Sequence, residues 1–360
     1  MERKSVLTCL AASVLMAAAG NVAAAELNAK EKLGKILFFD NRLSSPPGQS
    51  CASCHSPGAG YNGTGDANIT AYEGAVPGSF GNRNPPAAAY ASFSPTFHYD
   101  STEEMYIGGQ FWDGRAATLA DQAKGPFLNP VEQNNASPED VVKLVSSSNY
   151  ADLFQAVYGL NALSNTDTAY DYIADAIAAF ESSSEVNPFS SKYDLYLKDP
   201  KAYPLSVQEA RGLSLFNDLR KGNCAACHPS TPGPYGDKPL FTDFSYDNLG
   251  IPRVFEGDAD LGLGAIVGDA TQNGKFKVPT LRNVGIAASY GHNGYFKTLK
   301  EIVQFYNTRD VAKEKWPAPE VSQNLNTTEL GNLKLSPSQE DDIVAFMLTL
   351  TDGYALPNKR

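Results

Sequence analysis

Apolar residues recur at helical spacing in six stretches of the chain, and no segment alternates long enough to read as a strand. In AKEKLGKILFF, Leu33, Ile36 and Leu37 share one face. In SVQEARGLSLFN the inward positions are Val207, Ala210, Leu213 and either Leu215 or Phe216, and Ser206 with Glu209 makes a capping-box start. SPEDVVKLVSS opens with Ser137 as N-cap and Pro138 at the first helical position. TAYDYIADAIAAFESS carries Ile173, Ala176, Ile177 and Phe180 at helical spacing. TLKEIVQFYN is expected to start after Thr298, and SPSQEDDIVAFMLTLT opens on Ser336-Pro337. Gly-, Pro-, Asn- and Ser-rich loops fill 56–96, 228–260 and 310–336, and a linker is expected near 182–204. The pattern predicts a mainly α fold with long loops, and loops of that length need something buried to hold them.

One apolar run is different. Glu2, Arg3 and Lys4 precede an apolar run from Val6 to Ala19, and Ala23-Ala24-Ala25 supplies small residues for cleavage before Glu26. Residues 1–25 therefore read as a secretory signal peptide of bacterial type, and the mature protein is expected in the periplasm. No later stretch is long enough to span a bilayer, so no membrane anchor is expected. The chain of 360 residues is 42% hydrophobic and 19% charged, which is globular composition with room for two cores. Its net charge is −11, and removing the three charged residues at the start leaves about −12. That acidity argues against a nucleic-acid partner and favours basic protein partners.

Of five cysteines, Cys9 leaves with the signal. The other four fall in two copies of one pattern: Cys51, Cys54 and His55 in CASCH, and Cys224, Cys227 and His228 in CAACH. CxxCH attaches haem covalently, the two thiols adding to the porphyrin vinyl groups and the adjacent histidine becoming an axial ligand. A zinc half-site would need two further ligands at matching spacing, and a redox CxxC would want a βαβ context; neither is near. Two c-type cytochrome domains are expected, each wrapped around one covalently bound haem: an N-terminal one over 26–184 and a C-terminal one over 185–360. Buried haem would also hold the long loops.

A haem iron closed on both sides carries electrons, whereas one with an open side catalyses. Only four histidines are present, and two are proximal, leaving His98 and His292. Beyond the signal only Met105 and Met347 remain, and Met347 lies in the apolar stripe of the last helix. Two haems are not easily closed with that supply, so the count leans toward an enzyme.

The stretch GGQFWDGRAATLADQAKGPFLNPVEQ from Gly108 to Gln133, the two CxxCH motifs and KVPTLRNVGIAASYGHNG over 277–294 together resemble the bacterial di-haem cytochrome c peroxidase and MauG superfamily. The resemblance implies that the N-terminal haem reacts with hydrogen peroxide and the C-terminal haem serves as electron port. It implies that Trp112 carries electrons between them, where by itself it reads as a packed core aromatic. Gln122, Pro126 and Glu132 match the distal-pocket residues, with Glu132 as the acid/base; alone, Asn-Pro-Val-Glu reads as a turn with a solvated carboxylate. Asn84 matches the side-chain ligand of a calcium ion whose other ligands include carbonyls near Ala287 and Ser289. His292 matches a histidine that binds a haem propionate, and His98 is left as a loop residue, a propionate partner or a movable ligand.

Two features resemble the MauG-like branch. Residues 56–83 contain no histidine, so the N-terminal iron is expected to be open. Where the peroxidase branch places methionine, about fourteen residues after His292, this chain has Tyr306. A phenolate favours higher oxidation states, so Tyr306 as iron ligand would help the haem pair store two oxidising equivalents. The expected reaction is peroxide-driven, long-range oxidation of a partner protein's side chain. The alternatives are peroxide detoxification with a small cytochrome c or cupredoxin donor, and a non-enzymatic di-haem electron carrier. Trp316 reads as a packed aromatic, with a surface exit for oxidising equivalents as its alternative.

Overall fold

Side-chain caps start the helices largely where the apolar pattern places them. The computed structural model describes residues 26–63 and 72–355; the expected signal peptide, with Cys9, lies outside the described residues. Helix α1 (Ala29–Phe39) opens on Asn28, whose side chain accepts from the Glu31 N–H. The four-residue α2 (Cys51–Cys54) holds the first cysteine pair. A short antiparallel hairpin, β1 (His98–Asp100) and β2 (Met105–Ile107), follows with His98 opposite Ile107. Next come α3 (Leu119–Leu128), α4 (Pro138–Ser146) capped by Ser137, α5 (Ala151–Tyr158) and α6 (Thr166–Glu181). The expected linker holds α7 (Lys192–Lys198). Helix α8 (Val207–Asn217) has the Ser206–Glu209 capping box. Strand β3 (Tyr246–Asp247), α9 (Leu263–Val267) and β4 (Phe276–Lys277) follow, β3 and β4 pairing antiparallel. Helices α10 (Leu299–Thr308) and α11 (Pro337–Leu348) begin at Thr298 and Ser336. The mainly α expectation holds, and the strands are two or three residues long.

The same local device builds each half. A Cβ on Gly34 of α1 would lie 1.8 Å from the Ala176 carbonyl oxygen of α6, and one on Gly212 of α8 would lie 1.9 Å from that of Asp342 in α11. Both glycines begin a G-x-x-L-F run, Gly34 to Phe38 and Gly212 to Phe216. Both phenylalanines are fully buried. Each CxxCH motif thus follows a helix seated close against the last helix of its half. One core gathers Phe38, Phe127, Phe154, Ile173 and Phe180; the other gathers Phe216, Phe241, Val303, Ile343 and Phe346. Leu240 and Phe244 cross into the first core, so the halves share apolar contacts.

Arg282 clamps the C-terminal half internally and reaches the N-terminal half through the ring of Tyr90. It is 1% exposed, donates to both oxygens of Asp194 on α7 at 3.0 and 2.8 Å, and donates to the Pro239 carbonyl at 2.8 Å. Its guanidinium lies over the rings of Phe189 at 4.3 Å and Tyr90 at 4.8 Å.

Candidate functional site

Each CxxCH motif forms one wall of a deep cavity. The N-terminal cavity encloses about 1190 Å3, including its open mouth, and is lined by Cys51, Cys54, His55, Gln122, Pro126, Glu132, Asn84 and Trp112. The C-terminal cavity has two lobes, about 950 and 1030 Å3, and both are bordered by Cys224, His228, Tyr306 and Trp112. Cys227 and His292 face the first lobe. Trp112 borders both cavities, is 8% exposed, and its indole N–H donates to the Asn84 carbonyl at 2.7 Å.

The sulfur and nitrogen groups are tuned by burial. Burial pushes the Cys54 and Cys224 thiols up to about 12 and those of Cys51 and Cys227 higher still. Thiols held protonated are poor redox nucleophiles and poor zinc ligands. No disulfide joins any of the four. Burial lowers His55 and His228 to about 4, which keeps both imidazoles neutral and able to ligate a metal. His228 Nδ1 donates to the Phe241 carbonyl at 2.8 Å, a bond that fixes the ring and leaves Nε2 for a ligand. His55 Nδ1 is buried with no hydrogen-bond partner among the described residues. A large cavity, two facing thiols and a neutral imidazole in each half are the donor set that a c-type haem requires.

On the other wall of the N-terminal cavity, α3 delivers Gln122 and Pro126 one turn apart. Pro126 has no N–H to give the Gln122 carbonyl, and the helix ends two residues later at Leu128. Burial pushes the Glu132 carboxyl above its usual value, against the pull of the Arg115 charge. In the C-terminal cavity, burial also raises the Tyr306 phenol, so only a bound cation would make it a phenolate. His292 is 4% exposed, stacks on Phe276 at 3.6 Å and faces Glu320 at 3.6 Å. Met347 packs in the core and also borders the second lobe, whereas Met105 and His98 lie exposed on the hairpin. His98 Nδ1 sits 2.8 Å from the Thr96 carbonyl, and the residue borders neither cavity. Asn84 accepts from Ser289 Oγ at 3.1 Å and donates to the Ser289 carbonyl at 3.4 Å, so the expected calcium ligands lie together between the halves.

These features converge with sequence and structural comparisons. The di-haem cytochrome c peroxidase family model matches residues 28–202. The methylamine utilization protein MauG of Paracoccus denitrificans is 37% identical over 96% of this chain and 95% of its own. The chain belongs to the di-haem cytochrome c peroxidase family. The cytochrome c551 peroxidase of Nitrosomonas europaea is 32% identical over 89% of this chain and 79% of its own. The crystal structure of the diheme peroxidase BthA from Burkholderia thailandensis superposes with a TM-score of 0.78 at 33% identity, covering 90% of this chain and 86% of that one. As a member of this family the protein is a peroxidase-type oxidoreductase with two haems, acting with hydrogen peroxide and a protein partner. No described helix is long and apolar enough to cross a membrane.

The sequence missed three polar groups of this site. Glu181 lines the N-terminal cavity with one carboxyl oxygen unpartnered, and burial pushes it up to about 8. It sits four residues after Ile177 on the apolar face of α6, and a carboxylate at that phase is the signal that could have found it. Gln133, also in this cavity, has a buried unpartnered oxygen. Lys277 faces the C-terminal cavity, donates to the Gly109 carbonyl and is lowered by burial to about 7.

Proposed function

We propose that this chain is a periplasmic, MauG-like di-haem peroxidase that uses hydrogen peroxide to oxidise a side chain of a partner protein by long-range electron transfer. The observation that carries this reading is Tyr306, which faces His228 and Cys224 across one cavity. His55 and His228 would be the proximal iron ligands, Cys51, Cys54, Cys224 and Cys227 the covalent attachments, and Tyr306 the second ligand of the C-terminal iron. His292 would position a haem propionate. Asn84, with the carbonyls near Ala287 and Ser289, would hold one Ca2+. The two haem domains would divide near residue 184. When bound, the haem irons would supply the two electrons that O–O cleavage of peroxide consumes and would hold the resulting oxidising equivalents.

The chain's own residues then have separable tasks. Glu132 takes a proton from one peroxide oxygen and returns it to the other. Gln122 orients the peroxide by hydrogen bonding, and Pro126 fixes the wall beside it. Trp112 is the side chain through which electrons cross between the cavities. Substrate protein stays outside, since both cavities are lined by packed helices and loops.

Met347 at the second lobe favours one other reading, a peroxide-detoxifying cytochrome c peroxidase with a small cytochrome c or cupredoxin donor. Optical and EPR spectra of the oxidised holo-protein, before and after one equivalent of peroxide, decide between them. One high-spin and one low-spin ferric haem without a methionine charge-transfer band are expected, followed by a stable oxidised state. In Y306F the low-spin signal is expected to change and the stored oxidising equivalents to decay faster. A methionine signature in the wild type removes the MauG-like reading, and two saturated low-spin haems remove the peroxidase reading altogether.

A further inference from the structure

An aromatic ladder runs from the surface hairpin toward the wall between the cavities. Tyr99 is 52% exposed. Its ring meets that of Tyr106 across the strands, edge to face, at 5.0 Å. Tyr106 stacks on Phe97 at 5.5 Å and 7°. Phe97 meets Tyr246 edge-on at 6.0 Å, and the buried Tyr246 hydroxyl donates to the Gly108 carbonyl at 2.6 Å. Opposite Tyr246 in the β3–β4 pair is Lys277, whose N–H donates to the Trp112 carbonyl at 2.8 Å. Adjacent π-systems therefore lead from water to Tyr246, and the Lys277 backbone joins that ring's strand pair to the tryptophan that borders both cavities.

Packing accounts for the inner end only. Gly114 lacks a Cβ that would lie 2.3 Å from the Tyr246 hydroxyl, so the chain is shaped around that ring. Among the described residues nothing equivalent covers the outer end, where Tyr99 and Met105 are exposed and the connecting loop presents Glu103 and Glu104 beside Asp100. The other exit considered from the sequence, Trp316, is half-buried against Phe296 and Phe305.

We propose that Tyr99 and Tyr106 relay electrons inward from a docked partner protein, and that the acidic loop around Glu103 and Glu104 seats a positively charged patch of that partner. The inference rests on the peroxidase reading above. For each electron, a phenol loses one electron inward and its proton to water, giving a tyrosyl radical. The partner then supplies one electron, water returns the proton, and the phenol is restored. Two such cycles balance the reduction of one H2O2, with two protons, to two waters. Phe97 and Tyr246 are a packed bridge at which no bond changes. The acidic rim raises the encounter rate with a basic partner and loses that effect as salt rises.

The test uses the full holo-protein as wild type, Y99F/Y106F and E103Q/E104Q, with a reduced, strongly basic c-type cytochrome as donor and an acidic one as comparison. In Y99F/Y106F the peroxide-induced spectral change is expected to persist. The tyrosyl EPR signal of freeze-quenched, donor-free samples is expected to vanish, and oxidation of the basic donor to slow at least tenfold. In E103Q/E104Q the KM for that donor rises several-fold at low salt and the salt dependence flattens, with the spectral change intact. A radical signal and donor rate unaltered in Y99F/Y106F overturn the relay, and preference for the acidic donor overturns the docking rim, while the peroxidase reading stands in both cases. Wild type that gives no spectral response to peroxide sinks both together.

Discussion

Glu132→Gln is expected to slow the reaction with hydrogen peroxide by roughly 10²–10⁴-fold, the range that a positioned acid/base contributes. The substitution keeps the shape and a hydrogen-bonding end, so haem content and the resting spectrum stay as in the wild type. What it removes is the ability to accept a proton. Because burial holds the Glu132 carboxyl above its usual value, its titration has a definite sign. The carboxylate form is the base, so the wild-type rate falls as pH drops through the raised pKa. E132Q is slow at every pH and lacks that acidic limb. Stopped-flow rates of the peroxide-induced spectral change, taken across pH, measure both effects. A rate within threefold of the wild type, or an unchanged pH limb, would assign the proton transfer to another group, with Glu181 in the same cavity the first to examine.

What the sequence revealed depended on how local the signal was. Ser137-Pro138, Ser206 with Glu209, and Ser336-Pro337 are cap signals contained within four residues, and each starts a helix in the structure. Helix α3 was invisible because Gly125 and Pro126 read as breakers, yet the helix carries both and stops two residues after the proline. The hairpin was invisible because three-residue strands are too short to show alternation. The CxxCH motifs carry their chemistry in the spelling, so the haem expectation needed no fold. By contrast, Trp112, Gln122 and Glu132 gained a role only by resemblance, since nothing in their own neighbourhoods shows that loops distant in sequence will surround one cavity with His55. The helix inside the stretch expected as a linker was hidden for the same reason. Asp194 looks like one acidic residue in a polar segment until Arg282, far along the chain, closes on it.

That clamp leads to the largest expected effect on stability. Arg282→Met is expected to lower Tm on the order of 10 °C, from roughly 3–5 kcal/mol for leaving one member of a buried ion pair unpaired and about 2–4 °C per kcal/mol. Methionine fills much of the arginine's length, so cavity formation is a minor part of the loss. The Asp194 side chain is 6% exposed. Burial pushes its carboxyl up, but the hydrogen bonds and charge of Arg282 outweigh that and hold it below 3.8. A depressed carboxylate contributes stability above its unfolded-state pKa and loses it as pH falls through the folded one. The gap between wild type and R282M should therefore be full at neutral pH and narrow below about pH 3.8. Removing the stranded charge as well, in R282M/D194L, should recover part of the loss, whereas two independent defects would add. Thermal and urea unfolding of the holo-protein read all three variants. The guanidinium also lies over Tyr90, whose hydroxyl donates to Asp352 near the other end of the chain at 2.8 Å. R282M should therefore loosen the seam between the halves, and with it the register of Trp112 between the cavities. A Tm within 2 °C of the wild type would show that the seam is held by the shared apolar contacts around Leu240 and Phe244 instead.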